Sequence, residues 1–351
     1  MLTAFLSIGE NHCYAILCME EKPCEISVII PIYKVEQFIG RCAESLMHQT
    51  LKEGVEFLFV DDATPDGSIG VLEEVLERYP ERQTQVRLLR HEANKGLPAA
   101  RNTGLAEARG TYVFHCDSDD YVEPEMLETL LDVAERQEAD MVWCDWYLTF
   151  ADSERYMRQP ECATATEALR AMLAGAMKYN VWNKLVRRSL YTENHILFPA
   201  GYGMGEDMTM MRLAACARKV AYVPHAFYHY VKTNTNSFCQ TYSERHLREL
   251  RHNVGETAAF VLNRLGTEWE REVAFLKLEA KFPFLISDGR QGEYRRWAEW
   301  YPEANAYIMQ NKSVSLRSRM VQWFAAHGQW WAVRLYYKVV MEWLYSMLFR
   351  R

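Results

Sequence analysis

The sequence predicts an α/β protein: a doubly wound, mostly parallel sheet with helices on both faces, followed by a C-terminal helical region. Three observations lead there. Short runs rich in β-branched and aromatic residues alternate with amphipathic helical stretches through the first 145 residues, the pattern of a sheet wound by crossover helices. The runs are apolar throughout rather than alternating, as strands covered on both faces must be. Several of them end abruptly in polar, acidic loops, and ligands of open α/β sheets bind beyond the carboxyl ends of the strands.

In chain order, residues 25–33 (EISVIIPIY) form the first strand, closed by Pro31. Apolar residues at 35, 38, 39, 42, 46 and 47 follow helical spacing and predict a helix leading to a second strand at 56–60. That strand stops at Asp61-Asp62-Ala63-Thr64-Pro65-Asp66-Gly67-Ser68, a turn by composition. A helix over 69–79, a third strand at 85–89 and a helix opening near Pro98 follow. The fourth strand, 111–116, runs into Asp117-Ser118-Asp119-Asp120, and a helix over 124–137 leads to a fifth at 140–144. Later signals are a glycine-rich loop before Glu206-Asp207, a helix over 208–218 and a strand-like run at 220–230.

Three carboxylates arriving within four positions at a strand end are costly without a positive partner. Alternation turns Asp117 and Asp119 to one site and Ser118 and Asp120 elsewhere. A hard divalent cation that keeps some of its waters and takes phosphate oxygens would relieve the repulsion. The bland alternative is a solvated acidic turn. There is no Gly-x-Gly-x-x-Gly after the first strand and no phosphate-binding Gly-x-x-x-x-Gly-Lys-Ser/Thr, so neither a dehydrogenase-type dinucleotide site nor a P-loop is expected.

Taken together and in order, Ser27–Tyr33, Ser45–Thr50, Val60–Ser68, Asn94–Gly104, Asp117–Asp120 and Gly205–Asp207 resemble glycosyltransferase family 2, nucleotide-sugar-dependent inverting enzymes of the GT-A fold, across about residues 25–237. Trp182-Asn183-Lys184-Leu185 and Tyr228-His229-Tyr230 resemble bacterial members that build surface polysaccharide and lipopolysaccharide. Two departures stand at the nucleotide end: the family's usual Asp-Asp-Gly-Ser is Asp61-Asp62-Ala63-Thr64, and its usual Tyr-Asn is Tyr33-Lys34.

The resemblance implies transfer from a nucleotide sugar, a UDP-sugar by preference, to a saccharide or lipid-linked saccharide. It implies nucleotide contacts by Pro31, Tyr33, Asp61, Asp62, Lys95, Arg101, Asp117 and Ser118, with Asp62 accepting a hydrogen bond from the base and Asp61 as the neighbouring candidate. Mg²⁺ or Mn²⁺ would be held by Asp119 and Asp117, with His229 touching the metal or the leaving diphosphate; a histidine among aromatics is more often a core residue. Asp207 would be the general base, beside Glu206, although an acidic pair also suits the first turn of the following helix. The same residues leave two rivals: a Mg²⁺-dependent phosphohydrolase with Asp117 as nucleophile and Asp119 as acid/base, and a non-catalytic sugar-nucleotide-binding module.

Composition narrows the setting. The 351 residues are 49% hydrophobic and 25% charged, with a net charge of −7, which argues against a general nucleic-acid binder. Nine cysteines without a Cys-x-x-Cys pair suggest reduced, mostly buried thiols and a cytoplasmic protein. Residues 1–24 read as an N-terminal extension, with no basic segment before their apolar stretch. Residues 25–240 read as the catalytic domain, its nucleotide half about 25–120 and its acceptor half about 121–240, and 241–351 as the helical region. Within 312–351, seven Lys or Arg residues face one acidic residue and mix with Trp and Tyr. That suits either a peripheral contact with the inner face of a membrane or packing, including an oligomer contact.

Overall fold

A computed structural model describes residues 23–344 except 233–242, 288 and 290–291. Most of the expected N-terminal extension, residues 1–22, and the last seven residues therefore lie outside the described residues. Nine strands form one sheet: β1 Ile26–Ile32, β2 Val55–Asp61, β3 Val86–Arg90, β4 Tyr112–His115, β5 Tyr121–Val122, β6 Met141–Thr149, β7 Glu154–Met157, β8 Lys184–Arg187 and β9 Val220–Val231. Their order is β3-β2-β1-β4-β8-β6-β9-β5, with β7 paired to β6.

The expected doubly wound half is present. β3, β2, β1 and β4 are parallel, and every residue of β1 is buried. Helices Ile39–Met47, Ser68–Leu76, Leu97–Glu107 and Met126–Arg136 supply the crossovers. The glycine that ends the Asn94–Gly104 motif has a packing reason: a Cβ at Gly104 would stand 2.4 Å from Ile29 Cγ2, so only glycine lets this helix lie against β1.

Beyond β4 the sheet becomes mixed. β8 runs antiparallel to both β4 and β6, β6 and β9 are parallel, and β5 and β7 add antiparallel edges. Three of these strands were not predicted. They are two to four residues long, and Lys184-Leu-Val-Arg187 has charges at both ends, so neither length nor periodicity marks them. β6 extends to Thr149, past the predicted end at Cys144, because buried Asp145 is satisfied by Tyr156 Oη (2.6 Å), the Gln159 amide (2.6 Å) and Tyr222 Oη (2.9 Å). The helix predicted over 208–218 is a 3₁₀ turn, Glu206–Met208, followed by only Thr209–Ala214.

Helix Glu244–Leu265, opened by the Ser243 hydroxyl accepting from the His246 amide and ended by Gly266, packs back on the sheet domain. Its Val254, Ala258 and Val261 belong to the same core as the strands. A second core, with Leu285, Trp297, Ile308 and Val333, joins the remaining C-terminal helices. Among the described residues no helix is long and apolar enough to cross a membrane.

Candidate active site

Because β1 to β4 are parallel, the loops after them open on one edge of the sheet. After β1, Tyr33 is 41% exposed while Pro31 is buried. Lys34 has φ 56° and Ala63 has φ 52°, and these are the two positions where the family pattern has Asn and Gly, the residues that best tolerate a left-handed backbone. The departures therefore change the side chains and keep the loop shape. The two loops are stitched together: the Lys34 amide donates to Thr64 Oγ1 (2.8 Å), the Val35 amide to Ser68 Oγ (3.1 Å), and Asp66 Oδ1 accepts from both hydroxyls (2.7 and 2.6 Å).

Asp62 differs from its expected role. Its carboxylate is 2% exposed and taken by four donors: His91 Nδ1 (2.7 Å) and the Lys95 amide (2.8 Å) on Oδ1, the Gly96 amide (2.8 Å) and Asn94 Nδ2 (3.0 Å) on Oδ2. A carboxylate so occupied holds the loop after β3 against the loop after β2 and has no lone pair turned to a base. Asp61, half-buried and accepting from the Thr64 amide through Oδ1 (2.9 Å), is the acidic residue of the pair that faces outward. The Lys95 side chain is exposed. His91, which the sequence reading passed over, is the buried counterpart that anchors Asp62.

The acidic turn after β4 is a true turn, with the strand ending at His115 and the Asp120 amide bonding to the Asp117 carbonyl (3.1 Å). The predicted alternation survives as burial: Asp117 and Asp119 are part-exposed, Ser118 and Asp120 buried. Ser118, for which a nucleotide contact is expected, is buried. Asp120 has a structural task. It accepts from Tyr228 Oη (2.8 Å) and the Val231 amide (2.7 Å), while the same Tyr228 oxygen accepts from the Asp117 amide (3.1 Å). Tyr228, on β9, so clamps both ends of the turn.

Arg101 joins the distant pieces. Its guanidinium is 1% exposed, and Nη2 lies 2.9 Å from Asp117 Oδ1 and 3.2 Å from Glu206 Oε1. Nε and Nη1 are buried with no protein partner, and the ring of Phe198 lies 5.5 Å below. Burial, opposed by Arg101 and reinforced by Asp119 and Asp207, pushes the Asp117 carboxyl up to about 6. Glu206 is pushed well above its usual range, first by burial and then by the charge on Asp207. The Glu206-Asp207 pair thus divides: Glu206 is buried against Arg101, and Asp207 is part-exposed.

The loop carrying this pair is held from outside the sheet. Gly205 has φ +85°, and a Cβ there would meet Leu250 Cδ1 at 3.2 Å, so the loop runs close under helix Glu244–Leu265. Asn253 Nδ2 donates to the carbonyls of Tyr202 and Met204 (2.9 Å each), and Glu249 Oε2 accepts from the Met204 amide (3.1 Å). Both side chains are buried. Behind Asp207, the Nζ of fully buried Lys184 donates to the carbonyls of Lys178 and Asn180 and to Asn183 Oδ1 (2.8–2.9 Å). Burial lowers this amine to about 7, with the Asp207 charge opposing.

His229 stands apart from the metal contact expected of it. Its ring is stacked between Tyr121 and Tyr147 (4.2 and 4.9 Å), with Nε2 2.8 Å from Glu123 Oε1 and Nδ1 2.8 Å from Glu154 Oε1. With both nitrogens engaged by carboxylates it cross-links β5, β7 and β9, and no ring atom remains to bind a metal. Six cysteines in the described residues are free thiols, four of them buried, as predicted.

Comparison with known proteins bears on the family and the fold. Residues 27–208 match the family described as Glycosyl transferase family 2. The uncharacterized glycosyltransferase EpsJ of Bacillus subtilis is 35% identical over 61% of this chain and 63% of its own length, so less than two thirds of that relative is spanned. Among solved structures, S. aureus TarS 1-349 in complex with UDP-GlcNAc superposes with a TM-score of 0.61 at 18% identity, covering 90% of this chain and 91% of that one. The mannosyltransferase PcManGT from Pyrobaculum calidifontis in complex with GDP-Man and Mn²⁺ has a TM-score of 0.53 at 18% identity, covering 90% and 84%. The mixed sheet is that of the GT-A fold, and the chain belongs to glycosyl transferase family 2.

Proposed function

We propose that the protein moves a sugar, with inversion, from a UDP-sugar to a saccharide or lipid-linked saccharide acceptor in cell-surface polysaccharide synthesis, working at the inner face of the cell membrane, with Asp207 as general base. The observation that carries this reading is the tie through Arg101, which brings the acidic turn after β4 and the Glu206-Asp207 loop to one buried cation. A displacement at an anomeric carbon needs charge stabilisation on the leaving side and a base on the attacking side, and these two motifs supply one each.

Asp207 takes the proton from the acceptor hydroxyl as it attacks; the bond from the anomeric carbon to the diphosphate oxygen breaks in the same displacement, and the configuration inverts. Glu206, buried against Arg101, keeps the loop in place and leaves the basic role to its part-exposed neighbour. Tyr33 stacks on the base, and Asp61 accepts from it in place of Asp62.

Mg²⁺ or Mn²⁺ fits the acidic turn. Asp117 and Asp119 repel each other across part-exposed positions, and the rise of Asp117 to about 6 records that repulsion together with burial. Among the described residues no three acidic, His or Cys side chains converge on a metal position, and a hard cation of this kind needs only one or two carboxylates beside waters and phosphate oxygens. Bound there, it would neutralise the charge that builds on the departing diphosphate. UDP complexes of the fold neighbour TarS and the Mn²⁺ complex of PcManGT support the nucleotide and the metal class. The division at about residue 240 into a catalytic domain and a helical region is part of the same proposal.

Titration calorimetry with UDP, with and without Mn²⁺, tests the reading. Binding is expected to require Mn²⁺ and to weaken at least about tenfold in Asp119→Ala. Equal affinity in both proteins, or no dependence on the cation, would remove the metal from the proposal.

A further inference from the structure

We propose that the C-terminal hairpin of helices Leu316–Ala326 and Trp330–Tyr336 docks the protein flat on an anionic lipid bilayer, through an apolar face made by Leu316, Met320, Trp323, Trp331, Leu335 and Val339. This deepens the membrane setting proposed above and rests on surface geometry and charge, not on the reaction.

The six side chains are 59, 36, 38, 65, 55 and 48% exposed, although all are large and apolar. Their spacing is i, i+4, i+7 on the first helix and i, i+4 on the second, so each helix presents one stripe, and Val339 follows in the π-helical segment Tyr337–Leu344. The opposite faces are already used: Val321, Ala325 and Val333 are buried in the C-terminal core. The two stripes also lie on the same side of the hairpin. The connection is the short turn His327–Gln329, with Gly328 at φ +70°, so the helices are antiparallel neighbours. They meet where the Arg317 guanidinium lies 5.8 Å over the Tyr336 ring and where Val321 and Val333 share the core. Leu316 and Met320 each precede a contact residue of the first helix by one position, and Leu335 precedes Tyr336 on the second. An equal angular offset from the contact line, taken in the same hand on two antiparallel helices, points both stripes to one side.

Charge selects the occupant. Between Glu303 and Glu342 there is no acidic residue, while Lys312, Arg317, Arg319, Arg334 and Lys338 are all present in a chain of net charge −7. Lys312, Arg317, Arg334 and Lys338 are exposed, and Arg334 and Lys338 stand within one turn of Trp331 and Leu335 in the chain, where long basic side chains reach phosphate headgroups while their stems cover apolar surface. A second copy of the chain, joined through the same face by two-fold symmetry, would bring these cations together. An anionic bilayer satisfies both the apolar stripe and the cations near it, and two tryptophans place amphipathic rings at headgroup depth.

The test is co-sedimentation of the full chain with vesicles of phosphatidylcholine alone or mixed with phosphatidylglycerol, with tryptophan emission recorded alongside. The expected result is binding to the mixed vesicles with a blue shift, weakened by high salt. Trp331→Glu/Leu335→Glu should abolish the binding, and Arg334→Glu/Lys338→Glu should reduce it about tenfold or more. Circular dichroism and UDP titration of each variant should match the parent, which separates loss of docking from loss of fold or of the nucleotide site. No binding to phosphatidylglycerol vesicles, or equal binding by the Trp331→Glu/Leu335→Glu variant, would overturn the proposal. So would a dimer in sedimentation velocity that this variant dissociates without any vesicle binding.

Discussion

The two ends of the sheet edge, which we propose take the donor and the acceptor, are held in different ways. At the donor end the loops after β1, β2 and β3 are tied to one another by side chains and amides of the same half-sheet, with Asp62 as the shared acceptor and Thr64, Asp66 and Ser68 as cross-links. At the acceptor end the loop bearing Asp207 owes its position to Asn253 and Glu249, on a helix beyond the stretch that matches the family. The lesson is that the loops proposed to hold the nucleotide are fixed within the parallel half-sheet, whereas the loop bearing the proposed base is positioned by the chain's own C-terminal region. On the proposed function, acceptor geometry can then change with that region while donor geometry stays.

The largest break in this comparison is expected from Asp207→Asn, which should lower sugar transfer at least about a hundredfold and leave UDP affinity, measured by calorimetry, unchanged. Transfer at the parent rate would remove the base assignment. Next is Asp62→Ala at the other end. Four donors would lose their acceptor, so urea unfolding should show a loss of about 2–4 kcal/mol, and UDP binding should fall with it. A smaller and more discriminating effect is expected from Asn253→Ala: kcat down about tenfold through misplacement of the loop, with UDP affinity retained. If both parameters moved together, the two ends would not be independently held. The smallest is Ala63→Gly, which relieves a left-handed alanine and should raise stability by about 1 kcal/mol or less without altering UDP affinity.

Much of the donor half was readable from residues alone because its determinants are local. An apolar run specifies a covered strand, and a turn composition specifies where it ends. What could not be read were contacts made across the fold. Asp62 and Asp61 are adjacent, and only the position of His91 and the amides of Lys95 and Gly96 decides which one is occupied internally. His229 sits among aromatics in the sequence, but its engagement by Glu123 and Glu154 depends on β5 and β7, strands too short to leave a periodic signal. Alternation turns Asp120 away from Asp117 and Asp119, but its partners, the Tyr228 hydroxyl and the Val231 amide, lie more than a hundred residues away and leave no local mark. Glu249 and Asn253 carry no local mark at all. They lie on an ordinary charged helix, and their role follows from where Gly205 passes.

By itself the amino-acid sequence determined the strand–helix alternation, the edge of the sheet where ligands gather and the acidic motifs on it, since hydrophobic period and turn chemistry act over a few neighbouring residues. Tertiary structure alone decided which carboxylates are occupied internally, which remain for chemistry, and that Arg101 joins the turn after β4 to the loop before Thr209. The physical reason is that a buried charge is defined by the partners that compensate it, and those partners come from segments that only folding brings within hydrogen-bonding distance.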